Sequence, residues 1–220
     1  MFQTIVLSSF IVVLAGIACH FLISLPKRDD LFGKDRSCKF LDILRIPIYG
    51  LTLLLVEQKL NLIGRLRKLL YLLALLCFVI LVLNGFYSVL ILAEPITGYR
   101  IILQTIAGGV FTVCIAILAV MWAYNCRLDK NYWPWLTRLL QHRSKNTTAP
   151  EKYELAQKIC FWLIILLALP LILSIILSMF TLFGTDGQKC LLHLHRYSAL
   201  SLALIAIIHT YLLIRTKMGK

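Results

Sequence analysis

Charge is scarce in this chain, and negative charge is scarcer still. Only 15% of the 220 residues are charged, and Asp plus Glu number 10 against 23 Lys plus Arg. With 60% hydrophobic residues, a soluble domain of this length has no means of burying its apolar surface. The long apolar runs hold no Asp or Glu and no inverted repeat is evident, so nothing points strongly to a small transporter or ion-pathway subunit. The seven cysteines, at 19, 38, 77, 114, 126, 160 and 190, form no CxxC pair and no Cys/His cluster. That argues against an iron–sulfur cluster or a structural zinc held by this chain. Most of them fall in apolar runs, where Cys packs as a small hydrophobe. The net charge of +13 would suggest nucleic acid in a soluble protein, but here the charges sit between apolar runs, and the expected partner is membrane lipid. The first apolar run lacks a basic n-region, and LAGIAC before His20 is a poor cleavage box, so a spanning helix is favoured over a signal peptide.

What is present is five apolar runs: Ile5–Leu25, Leu69–Leu92, Ile101–Tyr124, Ile159–Phe183 and Leu191–Ile214. Each is long enough to cross a hydrocarbon core of roughly 30 Å. The pattern predicts an all-α integral membrane protein with five transmembrane helices. Between the first and second runs, Phe40–Leu62 mixes apolar residues with Asp42, Arg45, Glu57, Gln58 and Lys59, and contains Pro47 and Gly50. That suits an amphipathic segment lying in the interface, with a short re-entrant as the alternative. Gly108-Gly109 in the third run permits close approach of a helix or a flat cofactor. Pro170 in the fourth predicts a kink. The expected division is an N-terminal helix at 1–26, an interfacial segment at 27–65 and a four-helix unit at 66–220. Lys and Arg number ten between the first two runs, seven between the third and fourth and three in the tail, against three elsewhere. That asymmetry places the C-terminus in the cytoplasm and the N-terminus outside.

The last run, LLHLHRYSALSLALIAIIHTYLLI, carries three of the five histidines. His195 and His209 are 14 residues apart, so they share one helical face about 21 Å apart along the axis. Two imidazoles on one stripe at opposite depths suit a helix serving two stacked haems, or a haem and a quinone. The competing reading is hydrogen bonding to neighbouring helices. His193, two residues from His195, faces elsewhere and reads as interfacial. His20 lies six residues before Pro26, much as His209 lies six before Arg215. The matching depth would allow His20 and His209 to grip one haem iron between the first and fifth helices; snorkelling of His20 to the interface is the alternative. Gln104 matches His195 in depth, and Tyr71 opens the second helix.

The stretch KYELAQKICFW (Lys152 to Trp162), the patch YWPWL (132–136) and the spacing of His195, His209 and Tyr211 resemble the cytochrome b (gamma) subunit of membrane-bound formate dehydrogenases and related hydrogenase cytochromes. The resemblance covers roughly residues 66 to 218 and leaves the first helix as an addition. It implies a subunit holding b-type haem and linking the iron–sulfur and catalytic subunits of a periplasmic dehydrogenase to quinone, in a prokaryotic inner membrane. In the family the last helix supplies one ligand to each of two haems, matching His195 and His209. The opposing ligands are histidines at the starts of the second and third helices of this chain, where Tyr71 and Gln104 stand instead. One haem is therefore expected ahead of two, with His20 as the substitute ligand. Candidate quinone contacts are Tyr153, Glu154, Gln157 and His209, Glu154 being also a candidate for passing protons; an ordinary polar helix start is the plainer reading of Glu154 and Gln157. Arg196 is a candidate haem-propionate partner or a headgroup contact. The YWPWL tryptophans fit an interfacial aromatic belt. The rival to an electron-carrying subunit is a haem-free anchor or assembly subunit of the same kind of complex.

Overall fold

A backbone in lipid has no water to bond to, so each apolar run has to satisfy its own N–H and C=O groups by closing into a helix. The computed structural model describes residues 2–23, 62–92, 94, 96–127, 149–180 and 183–218. Among them every regular element is helical: α1 (Phe2–Ile23), α2 (Leu62–Tyr87) continued by a π turn (Ser88–Leu92), α3 (Tyr99–Ala123), α4 (Ala149–Met179) and α5 (Thr185–Met218). Five helices are long and apolar enough to cross a membrane. The chain is an all-α integral membrane protein. Three helices begin well before their apolar runs: α2 at 62 rather than 69, α4 at 149 rather than 159, and α5 at 185 rather than 191. Hydropathy marks where a helix lies in hydrocarbon, whereas the helix itself runs on through the headgroup layer on polar residues such as Arg65, Arg67 and Lys68. Of the expected interfacial segment at 27–65, only Leu62 to Arg65 are described, and they open α2. The YWPWL patch lies outside the described residues.

The helices pair as two antiparallel hairpins, α2 with α3 and α4 with α5. Between the hairpins sits a core of Ala74 and Cys77 from α2, Phe111, Cys114 and Leu118 from α3, Ala168 from α4 and Leu202 from α5. Four of these seven are Ala or Cys, and small side chains let helix backbones approach closely where lipid supplies no hydrophobic drive. Phe111 fills the centre, its ring 5.9 Å from that of Phe78. Gly108 joins the α2–α3 seam, since a Cβ there would stand 4.0 Å from Leu81, whereas Gly109 has nothing within 4 Å. Pro170 lies inside α4.

α1 leans on the outside of this four-helix unit. Phe10 meets Phe86 edge-on at 5.1 Å, and Gln3 Nε2 donates to the Leu90 carbonyl in the π turn at 3.1 Å. Phe2 meets Tyr197, and His20 meets Tyr211, so α1 runs parallel to α5. Before α3, Gly98 adopts φ 61° and ψ −139°, a region closed to residues with a Cβ, and its carbonyl accepts from Ile101 N at 3.2 Å. Gly98→Ala is expected to destabilise the protein by about 1–3 kcal/mol. A thermal unfolding curve in detergent checks this, and an unchanged midpoint would refute the strain.

Candidate functional site

α5 carries two stripes with different neighbours. The first holds His195, Leu202 and His209, seven residues apart each, which share a face at steps of about 10 Å. Leu202 is only 3% exposed and belongs to the inter-hairpin core, so this stripe points into the bundle. His195 Nδ1 lies 3.2 Å from the Leu171 carbonyl oxygen and 3.2 Å from Ser174 Oγ, both on α4. Ser174 is itself buried and donates to the same Leu171 carbonyl at 2.8 Å. A carbonyl only accepts, so its bond with His195 puts the proton on Nδ1 and the lone pair on Nε2. A backbone carbonyl holding one ring nitrogen is the usual support for a histidine whose other nitrogen ligates a metal. At the other end of the stripe, His209 Nδ1 is buried and has no hydrogen-bond partner.

The second stripe faces α1. Tyr197 and Tyr211 lie on it, 14 residues apart. The Phe2 ring is edge-on to Tyr197 at 5.4 Å, and His193 stacks on Tyr197 at 6.4 Å. His20 Nδ1 is 2.7 Å from the Tyr211 hydroxyl. His20 is thus level with this end of α5, as its position in the sequence implies, and there it meets Tyr211. The reason is helical rotation. Two residues turn a side chain by about 200°, so the helix that packs on Tyr211 lies on the opposite side of α5 from His209. Depth suggests the His20–His209 pair; the facing of the side chains adds a His20–Tyr211 contact at that level.

Arg196 lies over the Phe2 ring, 5.8 Å from its centroid. Gln157 Nε2 donates to the Leu212 carbonyl at 3.0 Å and ties the start of α4 to the end of α5. The side chains of Tyr153 and Glu154 lie outside the described residues. Tyr71 packs at the edge of the core, its ring 5.7 Å from Trp122, and Trp122 in turn meets Phe161 at 6.3 Å. Gln104 is held in a polar cluster at the His195 end of α2 and α3. Asn84 Nδ2 donates to Gln104 Oε1 at 2.8 Å and to the Arg100 carbonyl at 2.9 Å. Arg100 returns bonds from Nε to Asn84 Oδ1 at 3.0 Å and from Nη2 to the Asn84 carbonyl at 2.9 Å.

Sequence reasoning overlooked Ser174, Tyr211 as a partner for His20, Asn84 and Arg67. Ser174 had a visible signal, a hydroxyl within the apolar run LILSIIL, and Tyr211 stands two residues after a candidate ligand. Arg67 looked like one more basic residue flanking a span.

The donor set suits haem iron better than a hard cation. It offers imidazoles in apolar surroundings, and among the described residues no three His, Cys, Asp or Glu side chains converge. The buried, unpartnered nitrogen of His209 and the carbonyl-backed ring of His195 fit axial ligation from α5. The family model described as prokaryotic cytochrome b561 matches residues 65–220. Searches of curated proteins and of solved structures give no match.

Proposed function

The chain belongs to the prokaryotic cytochrome b561 family, a family of b-type haem electron-transfer membrane proteins, and on that premise we propose that it is the membrane subunit of a respiratory oxidoreductase complex of the formate dehydrogenase or hydrogenase kind. In this reading it links a peripheral dehydrogenase, through that partner's iron–sulfur subunit, to quinone. The 66–220 unit carries the redox role and the helix at 1–26 is an addition to it. The complex sits in a prokaryotic inner membrane, with the N-terminus outside and the C-terminus cytoplasmic, an orientation that the Lys/Arg asymmetry supports.

The observation that carries the reading is the inward stripe of α5, with His195 proton-fixed by Leu171 and His209 lacking any partner for Nδ1. Those two histidines would hold haem, at one end of the bundle each. Bound haem would supply one-electron redox chemistry, which neither imidazole has by itself. The chain's own part is to fix the imidazole tautomer, to keep water out with the Phe111 core and to set the local polarity. Arg196 is the candidate propionate partner at the His195 end. Gln157, with Tyr153 and Glu154, is the candidate quinone contact at the other end.

A second reading, a haem-free anchor of such a complex, has one observation in its favour. Tyr71 and Gln104 stand where the resembling subunits have histidines, and Gln104 is already engaged by Asn84. A reduced-minus-oxidised absorbance spectrum of the purified chain separates the two readings. We expect b-type bands; their absence leaves only the anchor.

A further inference from the structure

Among the described residues, two buried side-chain nitrogens lack any hydrogen-bond partner: His209 Nδ1 and Arg67 Nε. They belong to different helices, and the packing places both toward the same end of the bundle. Ala74 of α2 and Leu202 of α5 share the core. Arg67 is seven residues from Ala74 and His209 is seven from Leu202, so each stays on its helix's core-facing side, about 10 Å further along. Both steps run toward the same end of the bundle. Tyr71 meets Trp122, Trp122 meets Phe161, and Gln157, one turn before Phe161, bonds to Leu212 beside His209. Arg67 itself donates from Nη2 to the Met121 carbonyl at 3.5 Å, a long bond, while its buried Nε has no partner.

A part-buried guanidinium whose buried Nε–H is unused is costly unless an anion or strong acceptor meets it. An imidazole at the same depth with a stranded nitrogen asks for a second kind of partner. Tyr71, Trp122 and Phe161 supply flat aromatic surface beside them. One molecule answers all three demands: a porphyrin with an iron for the imidazole, carboxylates for the guanidinium and a planar apolar body for the rings. We propose that Arg67 is the propionate counter-ion of the haem ligated by His209. The proposal rests on the haem-binding reading above. Arg67 acts as a positioning residue: it anchors the edge of the macrocycle and contributes a fixed positive charge near the iron.

The test uses the full chain purified in detergent, with Arg67→Leu, Arg67→Lys, His209→Ala and the Arg67→Leu/His209→Ala double variant. The readouts are haem-to-protein ratio, haem dissociation and the midpoint potential in a redox titration. Loss of a charge-assisted hydrogen bond should weaken haem retention by about 10- to 100-fold in Arg67→Leu. It should also lower the midpoint potential, because a nearby cation favours the electron-rich reduced form. Arg67→Lys, which keeps the charge, should restore the potential and most of the haem even if the leucine variant folds poorly. In the His209→Ala background, Arg67→Leu should remove no further haem. Unchanged haem retention and potential in Arg67→Leu would overturn the assignment. So would a further haem loss in the double variant, or a loss of co-purifying anionic phospholipid with haem unaffected, which would make Arg67 a lipid-phosphate site. If the wild-type chain shows no haem at all, the functional reading itself falls and this proposal with it.

Discussion

On the proposed haem ligation, His209→Ala is expected to empty the haem site at its end of the bundle. The haem-to-protein ratio falls to whatever the His195 end retains, half of the wild-type value if both ends are filled and nothing if only this one is. The expectation follows from the lack of a substitute on α5. The neighbouring ring, Tyr211, lies about 200° round the helix and is engaged by His20 across the α1 interface. The stripe that holds His209 offers only Leu202 one heptad away, and that side chain is packed in the core. Removing His209 also deletes the stranded Nδ1, so the apoprotein loses a buried unsatisfied group and should be no less stable. The two effects together are diagnostic: haem lost, thermal stability of the haem-free protein kept. An unchanged haem ratio and an unchanged spectrum would remove His209 from the site.

Phe111→Ala is expected to cost about 2–4 kcal/mol of folding stability, toward the low side of the range for a buried aromatic in a soluble core. Phe111 is 6% exposed and stands between the hairpins, against Phe78 and the small side chains Ala74 and Cys77. In a membrane the transfer part of that cost is small, because lipid tails are as apolar as the core, and what is lost is close packing. This cluster joins the hairpins, so the cavity also loosens the spacing between the helix carrying His209 and the helix carrying Arg67. Thermal unfolding in detergent measures the first effect, and a rise in the haem dissociation rate measures the second. A midpoint within a degree of wild type would mean that the hairpins close over the gap.

The composition and the five apolar runs were enough to determine a helical membrane protein, because the hydrocarbon core admits only self-bonded backbones and its thickness dictates run length. The shared face of His195 and His209 was equally legible, since a spacing of 14 residues is a property of one helix and needs no neighbour. The helix ends were not legible, because hydropathy reports the surrounding solvent and α2, α4 and α5 continue past it. Facing between helices was decided only by the tertiary structure. His20 and His209 match in depth, yet the rotation of α5 under α1 gives His20 to Tyr211. Gln104, from the sequence a residue at a ligand's position, is drawn into the Asn84–Arg100 cluster. Arg67, from the sequence one of many flanking cations, proves to have a buried and unpartnered nitrogen. A linear pattern fixes height and angle along one helix axis, whereas who meets whom depends on how separate axes pack, and that is settled by small residues at the seam between hairpins, far along the chain from the groups they bring together.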